Sequence, residues 1–161
     1  MSDRITFPED IILVSKTDPH GTIKYANKAF CEVAGYSEEE LIGQPHNIVR
    51  HPEMPKVVFK LLWTHIQHGE EFWGYVKNRT KQGGYYWVFA HVTPTFDDTG
   101  NIVGYHSDRR APKEDALPKI ESLYDTLRAE EQRGGIAASE QYLNNLLAQE
   151  RKRYDEFVFS L

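Results

Sequence analysis

Thr22-Ile23-Lys24-Tyr25-Ala26-Asn27-Lys28-Ala29-Phe30-Cys31-Glu32-Val33-Ala34-Gly35 changes its hydrophobic period in mid-stretch. Thr22 to Ala26 alternates β-branched and aromatic residues with polar ones, which predicts a strand. From Asn27 the apolar residues Ala29, Phe30, Val33 and Ala34 share one helical face, and Gly35 supplies a natural C-cap. Upstream, Ile11 to Ser15 is a short apolar run ending before the turn Asp18-Pro19-His20-Gly21. The two runs on either side of that turn predict a hairpin that feeds a helix.

Downstream, Ser37 and Glu40 have the spacing of a capping box, with Leu41 and Ile42 apolar behind them and Gly43 as the stop. Pro45, Pro52 and Pro55 break the next stretch into turns and one-turn helices. Pro55 opens a longer helix with Val58, Phe59, Leu62 and Ile66 along one side, closed by Gly69. Three strands follow over Phe72 to Asn78, Tyr85 to Phe96 and Ile102 to Ser107, linked by the turns Lys81-Gln82-Gly83-Gly84 and Asp97-Asp98-Thr99-Gly100-Asn101. Two strands, several short helices, a longer helix and three strands predict an α+β domain, an antiparallel sheet with helices on one face.

Past Pro112 the period is helical again. Leu117, Ile120, Leu123, Tyr124 and Leu127 form one stripe, Gly134-Gly135 breaks it, and Tyr142, Leu143, Leu146, Leu147 and Tyr154 form a second. These are amphipathic C-terminal helices, which either cover the sheet or meet a partner. The chain divides into an N-terminal cap over 1–10, a sensor domain over 11–111 and a helical extension over 112–161. With 161 residues, 40% of them hydrophobic and 27% charged, one domain and an appendage fit. The net charge of −5 argues against nucleic-acid binding. Cys31 is the single cysteine, so no internal disulfide forms and a reducing compartment is expected. Met1-Ser2-Asp3-Arg4 opens no signal peptide and no apolar run reaches bilayer length, so the expected location is the cytoplasm, docked at the inner membrane face only through a partner.

Ile23-Lys24-Tyr25-Ala26-Asn27-Lys28-Ala29-Phe30 and Gly35-Tyr36-Ser37-Glu38-Glu39-Glu40-Leu41-Ile42-Gly43-Gln44 resemble the opening motifs of PAS domains. The block Gln44-Pro45-His46-Asn47-Ile48-Val49-Arg50-His51-Pro52-Glu53-Met54-Pro55 is rarer. With Val76-Lys77-Asn78-Arg79 and Tyr86-Trp87 it resembles the FAD-binding PAS domain of bacterial aerotaxis receptors. The resemblance covers about residues 11 to 110. It implies a PAS fold with a five-stranded antiparallel sheet, non-covalently bound FAD, and no enzymatic activity. It further implies a redox or oxygen sensor for energy taxis that relays flavin state to a chemoreceptor or other signalling protein, with a homodimer among the possible assemblies. A full aerotaxis receptor also has a transmembrane segment and a long methyl-accepting coiled coil, which this sequence lacks. A chain of this length is similar to the stand-alone PAS partner of bipartite energy-taxis systems, and its charged and aromatic ending reads as a natural terminus.

A flavin needs an apolar slot, polar groups at its pyrimidine edge, and cations or amides for phosphate. Trp63 reads as a core residue or as a wall facing a ring. Asn78, in an otherwise apolar strand, offers a donor and an acceptor, or else ends the strand in solvent. Arg50 suits bidentate contacts from an irregular segment; beside it His51 reads as a surface residue or helix-cap neighbour. Asn27 suits a helix cap. Tyr86 and Trp87 face opposite sides of their strand. The resemblance assigns Asn27, Arg50, His51, Trp63, Asn78 and Tyr86 to the cofactor. No metal site is expected, since His65 and His68 have no cysteine or carboxylate partner at the usual ligand spacing.

Other chemistries fit less well. Cysteinyl flavin photochemistry needs a thiol in His46-Asn47-Ile48-Val49-Arg50, and none is there; Cys31 reads as a packed core thiol. A haem-binding gas sensor would use His65, His68 or His51 as axial ligand. A cofactor-free PAS dimerisation or scaffold module is the other alternative. No nucleophile elbow, catalytic triad order or phosphate-binding loop is present.

Overall fold

The computed structural model describes residues 3–161; Met1 and Ser2, the start of the expected N-terminal cap, lie outside the described residues. The predicted hairpin is β1 (Leu13–Thr17) with β2 (Ile23–Ala26). Helix α1 (Lys28–Ala34) starts on Asn27, whose side chain accepts from Phe30 N–H, and ends on Gly35 in the left-handed region at φ 79°. The capping box forms as expected: Ser37 and Glu40 exchange hydrogen bonds at the start of α2 (Glu38–Leu41). A 3₁₀ turn over His46–Val49 precedes α3 (Lys56–Gln67), which buries Val57, Val58 and Ile66.

Strands β3 (Phe72–Arg79), β4 (Tyr85–Phe96) and β5 (Ile102–Arg110) complete the sheet. Its order is β2-β1-β5-β4-β3, with every neighbouring pair antiparallel. Strand β5 runs three residues past the predicted end at Ser107, because Asp108 to Arg110 continue the ladder against β4. That extension puts Arg109 on the same face as Ser107. The sheet turns this face, with Asn78 and Tyr86 directly opposite each other, toward α1–α3.

The other face carries Trp87, which packs against Tyr124 of α4 (Leu117–Glu150) at 6.1 Å between centroids. Gly134 and Gly135 leave helical geometry inside α4, so the predicted break is a kink. The second C-terminal helix ends earlier than its stripe suggested. Arg151 takes φ 55° and stops α4, and Tyr154 begins a separate helix, α5 (Tyr154–Phe159). Ile120, Leu123, Tyr124, Leu127, Tyr154 and Val158 join the core of the sheet domain, so the extension shares that core. At the other end, Asp3 and Ile5 bond to Tyr85 across a short parallel bridge, and Arg4 grips the Glu114 carboxylate at 2.7 and 2.8 Å.

Strand β3 is a sheet edge, and edges invite unwanted pairing. Tyr124 blunts it by donating to the Tyr75 carbonyl at 2.5 Å, with the Tyr154 hydroxyl 3.1 Å away. Burial drives both phenol pKa values up, Tyr154 to about 12, so the pair stays neutral. Tyr124→Phe leaves the Tyr75 carbonyl without a partner and is expected to cost about 1–3 kcal/mol. A urea midpoint within error of wild type would show that this bond contributes nothing.

Candidate functional site

Between the sheet and the short helices lies a cavity of about 210 Å³. Phe59, Leu62, Trp63 and Ile66, at positions i, i+3, i+4 and i+7 of α3, make one wall. Val76 and Asn78 of β3, Ala90 and Val92 of β4, and Tyr105, Ser107 and Arg109 of β5 make the opposite wall. Pro45, His46, Asn47 and Arg50 from the irregular segment close one side, and Thr17, His20 and Gly21 of the first hairpin close another. Trp63 meets Tyr105 edge to face at 5.6 Å. Its ring rests on the Gly21 turn: a Cβ there would lie 3.3 Å from the indole, at a φ of +88° that other residues rarely adopt.

The polar groups on this apolar frame are unusual in sign. Among the described residues, two arginines face the cavity and no Asp or Glu lines it. Arg50 stacks on Phe59 at 3.8 Å, with its Nε buried and unpartnered. Arg109 is only 2% exposed and lies 4.2 Å over the Phe30 ring. Its Nη1 is 2.8 Å from His46 Nε2, while Nε and Nη2 have no partner. Burial lowers the pKa of both arginines, Arg109 to about 10, and both remain charged at neutral pH.

His46 is neutral by geometry. Arginine offers only donors, so the Nε2 that meets Arg109 must be an unprotonated acceptor. Ser15 Oγ lies 2.8 Å from the same nitrogen, and the ring stacks on Phe30 at 5.8 Å. Burial, then the Arg109 charge, pushes its pKa down to about 3. Because Nε2 is taken, His46 reaches a haem iron only by abandoning Arg109. His65 and His68 spend their Nδ1 atoms on the carbonyls of Leu61 and Thr64 and do not line the cavity. Cys31 sits on α1 and no cysteine lines the cavity.

Of the six residues expected at the ligand, the structure brings Arg50, Trp63 and Asn78 to the cavity wall. Asn27 does not reach it. Its Oδ1 accepts from Val14 and Phe30 N–H and its Nδ2 donates to the Ile12 carbonyl, so the side chain is consumed in tying β1 to α1. His51 is also displaced: its Nδ1 accepts from Glu53 N–H at 3.0 Å to close the proline turn, and its ring packs on Tyr85. Tyr86 lies on the cavity-side face, fully buried behind Asn78 and off the lining, with its hydroxyl unpartnered. The residues that sequence reasoning missed are His46 and Arg109, together with Tyr105, Ser107 and the side chains of the hairpin turn. Arg109 lies beyond the expected end of β5 and next to Arg110, so no local signal marked it for the buried face.

Unpartnered buried donors are costly unless something completes them. The donor set therefore fits an electron-rich planar guest: guanidinium N–H groups for carbonyl oxygens, ring nitrogens or phosphate, and an amide able to donate or accept. An isoalloxazine matches that description. The volume is below the roughly 300–1,000 Å³ of sites that enclose a whole drug-sized ligand. It suits a ring system, not a complete dinucleotide.

A family model described as "PAS fold" matches residues 23–107. The chain is 44% identical over 121 residues to the aerotaxis receptor of Escherichia coli (strain K12), which covers 75% of this chain and 24% of the receptor. It is 28% identical over 99 residues to the nitrogen fixation regulatory protein of Klebsiella pneumoniae, covering 62% of this chain and 20% of that protein. The chain thus spans a quarter or less of the length of these curated relatives. The dark structure of the blue-light photoreceptor Aureochrome1 LOV superposes with a TM-score of 0.59 at 26% identity, covering 74% of this chain and 86% of that one.

Proposed function

This chain belongs to the PAS-fold family, and on that premise we propose that it is a redox or oxygen sensor that binds FAD non-covalently and relays the flavin state to a chemotaxis signalling partner. The observation that carries this reading is the pair of carboxylate-free arginines, buried Arg109 and half-buried Arg50, that line an apolar cavity beside Asn78 with buried, unpartnered N–H groups. Their free N–H groups match the acceptor-rich edge of a flavin, and the similarity to an aerotaxis receptor supports the sensory role.

Bound flavin supplies electron transfer coupled to ring protonation. The chain's own residues do the rest. Phe59, Trp63 and Tyr105 exclude water from the slot, and His20 and Asn47, exposed polar residues of the lining, would be left to hold the rest of the dinucleotide. Arg50 and Arg109 hold fixed positive charge there, while Asn78 turns its amide to offer C=O or NH₂ as the proton count of its partner changes. Strand β3 carries Asn78 on its inner face and, three residues earlier, the Tyr75 carbonyl that anchors Tyr124 of α4. A change at Asn78 therefore reaches the C-terminal helices through one strand, the route by which a chemoreceptor or other signalling protein would read it. No described helix is long and apolar enough to cross a membrane. We place the protein in the cytoplasm, sensing without catalysing, and docked at the membrane only through its partner.

The test is direct. Freshly purified protein is expected to be yellow and to release FAD, not FMN, on heating. Asn78→Ala and Arg50→Ala are each expected to lower flavin occupancy about ten-fold or more, at one to two lost hydrogen bonds each, with circular dichroism unchanged. A colourless protein that takes up no FAD, or variants with full flavin content, would overturn the assignment.

A further inference from the structure

Helix α3 begins without a cap of its own. Pro55 occupies the cap position and has no side-chain bond to offer, so the first N–H groups need another acceptor. They find it 74 residues away: Glu131 of α4 accepts from Val57 N–H through Oε2 and from Lys56 N–H through Oε1, each at 3.0 Å. The same Oε2 lies 2.9 Å from the Ser139 hydroxyl, whose single proton it shares with the Ile136 carbonyl at 3.0 Å, and Ser139 is fully buried. Between Glu131 and Ser139 lies the glycine break, with Gly135 at φ 73°, ψ −168°, a conformation closed to other residues. One carboxylate thus binds α3 and both halves of α4 across their kink. Two flanking ion pairs follow the same path: Arg128 to Glu53 at 3.7 Å before α3, and Glu140 to Lys60 at 3.0 Å along it.

Helix α3 is also the cavity wall. Its first turn precedes Phe59, the ring on which Arg50 stacks, and Trp63 lies one turn further. We propose that Glu131 is a positioning residue of the ligand cavity, and that through Ser139 it ties the placement of α3 to the half of α4 beyond the glycine break. The cavity wall moved by a guest and the helix offered to a partner then share one hydrogen-bonded joint, in addition to the route through β3. By linkage, whatever the guest does to the joint, the joint does to the guest. The inference rests on the flavin reading for the identity of the guest, and not for the joint itself.

The experiment titrates ligand-free full chain with FAD and follows amide exchange in wild type, Glu131→Ala, Glu131→Gln and Glu140→Ala. Glu131→Ala is expected to weaken FAD about ten-fold, within the usual range of coupling between sites. FAD is expected to slow exchange over residues 136–150 in wild type but not in Glu131→Ala. Glu131→Gln, which still accepts through one oxygen, should fall between the two, and Glu140→Ala, an exposed pair, should behave as wild type. Unchanged FAD affinity together with retained protection of 136–150 in Glu131→Ala overturns the proposal. If wild type takes up no FAD, the flavin reading alone fails, and the joint is judged without a guest. Glu131→Ala must then raise exchange over 56–66 and 136–150 about five-fold, the effect of a lost cap, with 85–92 of β4 unchanged as the measure of intact fold. Unchanged exchange over 56–66 sinks it.

Discussion

Replacing Arg109 by methionine is expected to raise the melting temperature of the ligand-free protein and to lower its affinity for FAD about a hundred-fold or more. The two effects have opposite signs because the same fact causes both. Arg109 is almost fully buried, yet it makes a single side-chain hydrogen bond, to a neutral histidine, and no carboxylate lines its cavity. A buried charge without a counter-charge is a standing cost in the empty protein, and apolar replacements of buried ionic groups are commonly neutral or stabilising by about 1–4 kcal/mol. Methionine fills similar volume and leaves His46 its contact with Ser15. When an acceptor-rich ligand enters, the free Nε and Nη2 of Arg109 gain partners. Two charge-assisted bonds at about 1.5–3 kcal/mol each amount to at least a hundred-fold in affinity. Thermal melts and FAD titrations of the same preparations decide it. If melting temperature and affinity fall together, Arg109 is a structural residue. If the protein is stabilised and binds FAD unchanged, the cavity's donor is elsewhere. Arg109→Lys is expected to bind weakly too, since a single ammonium cannot reproduce the fork.

What the sequence reveals about this molecule depends on how local each signal is. Gly35, Ser37 and Glu40 act on backbone within four residues, and the structure places each at the cap it was expected to form; Asn27 caps α1 as expected, while its bonds to Ile12 and Val14 are not local. The succession of strands and helices along the chain and the glycine break likewise follow from short patterns, whereas the pairing of β1 with β5 does not. The end of β5 was hidden because Asp108-Arg109-Arg110 carries charges that read as a loop. Only the ladder to β4 and the phenyl ring of Phe30 make room for a buried guanidinium there. His46 was hidden because its role needs Arg109, 63 residues away. His51, in the same motif block, reads as a ligand residue, yet the turn between Pro52 and Pro55 spends its acceptor nitrogen on Glu53. The α4 stripe ran on to Tyr154 because Arg151-Lys152-Arg153 contains no glycine or proline to announce the stop. Motifs placed the right segments around the cavity; tertiary contacts chose which side chains enter it.

His46 should make the ligand-free protein lose stability as pH falls below neutrality, in a way that His46→Gln does not. The charged groups that face it are Arg109 and Arg50, both cations. Burial and Arg109 hold its folded pKa near 3, against an ordinary value of 6.5. Above 6.5 the imidazole is neutral whether the chain is folded or unfolded, and it adds no pH dependence. Between 6.5 and 3 the unfolded chain takes up a proton that the folded chain refuses, so each pH unit of acidification favours unfolding by up to about 1.4 kcal/mol. From pH 6.5 to 4 the accumulated loss is about 3 kcal/mol, a large part of an ordinary domain's stability. Carboxylates with lowered pKa, such as Glu53 beside Lys77, lose their own stabilisation over the lower part of this window. The quantity to read is therefore the difference between wild type and His46→Gln, which keeps an acceptor for Arg109 but cannot take up a proton. Denaturant melts at pH 7, 6, 5 and 4 are expected to show wild type falling away from the variant below 6.5, on a slope that the carboxylates common to both cannot supply. Parallel pH profiles for the two proteins would mean that His46 is protonated in the fold, and that Arg109 does not depend on a neutral acceptor to stay aimed at the cavity.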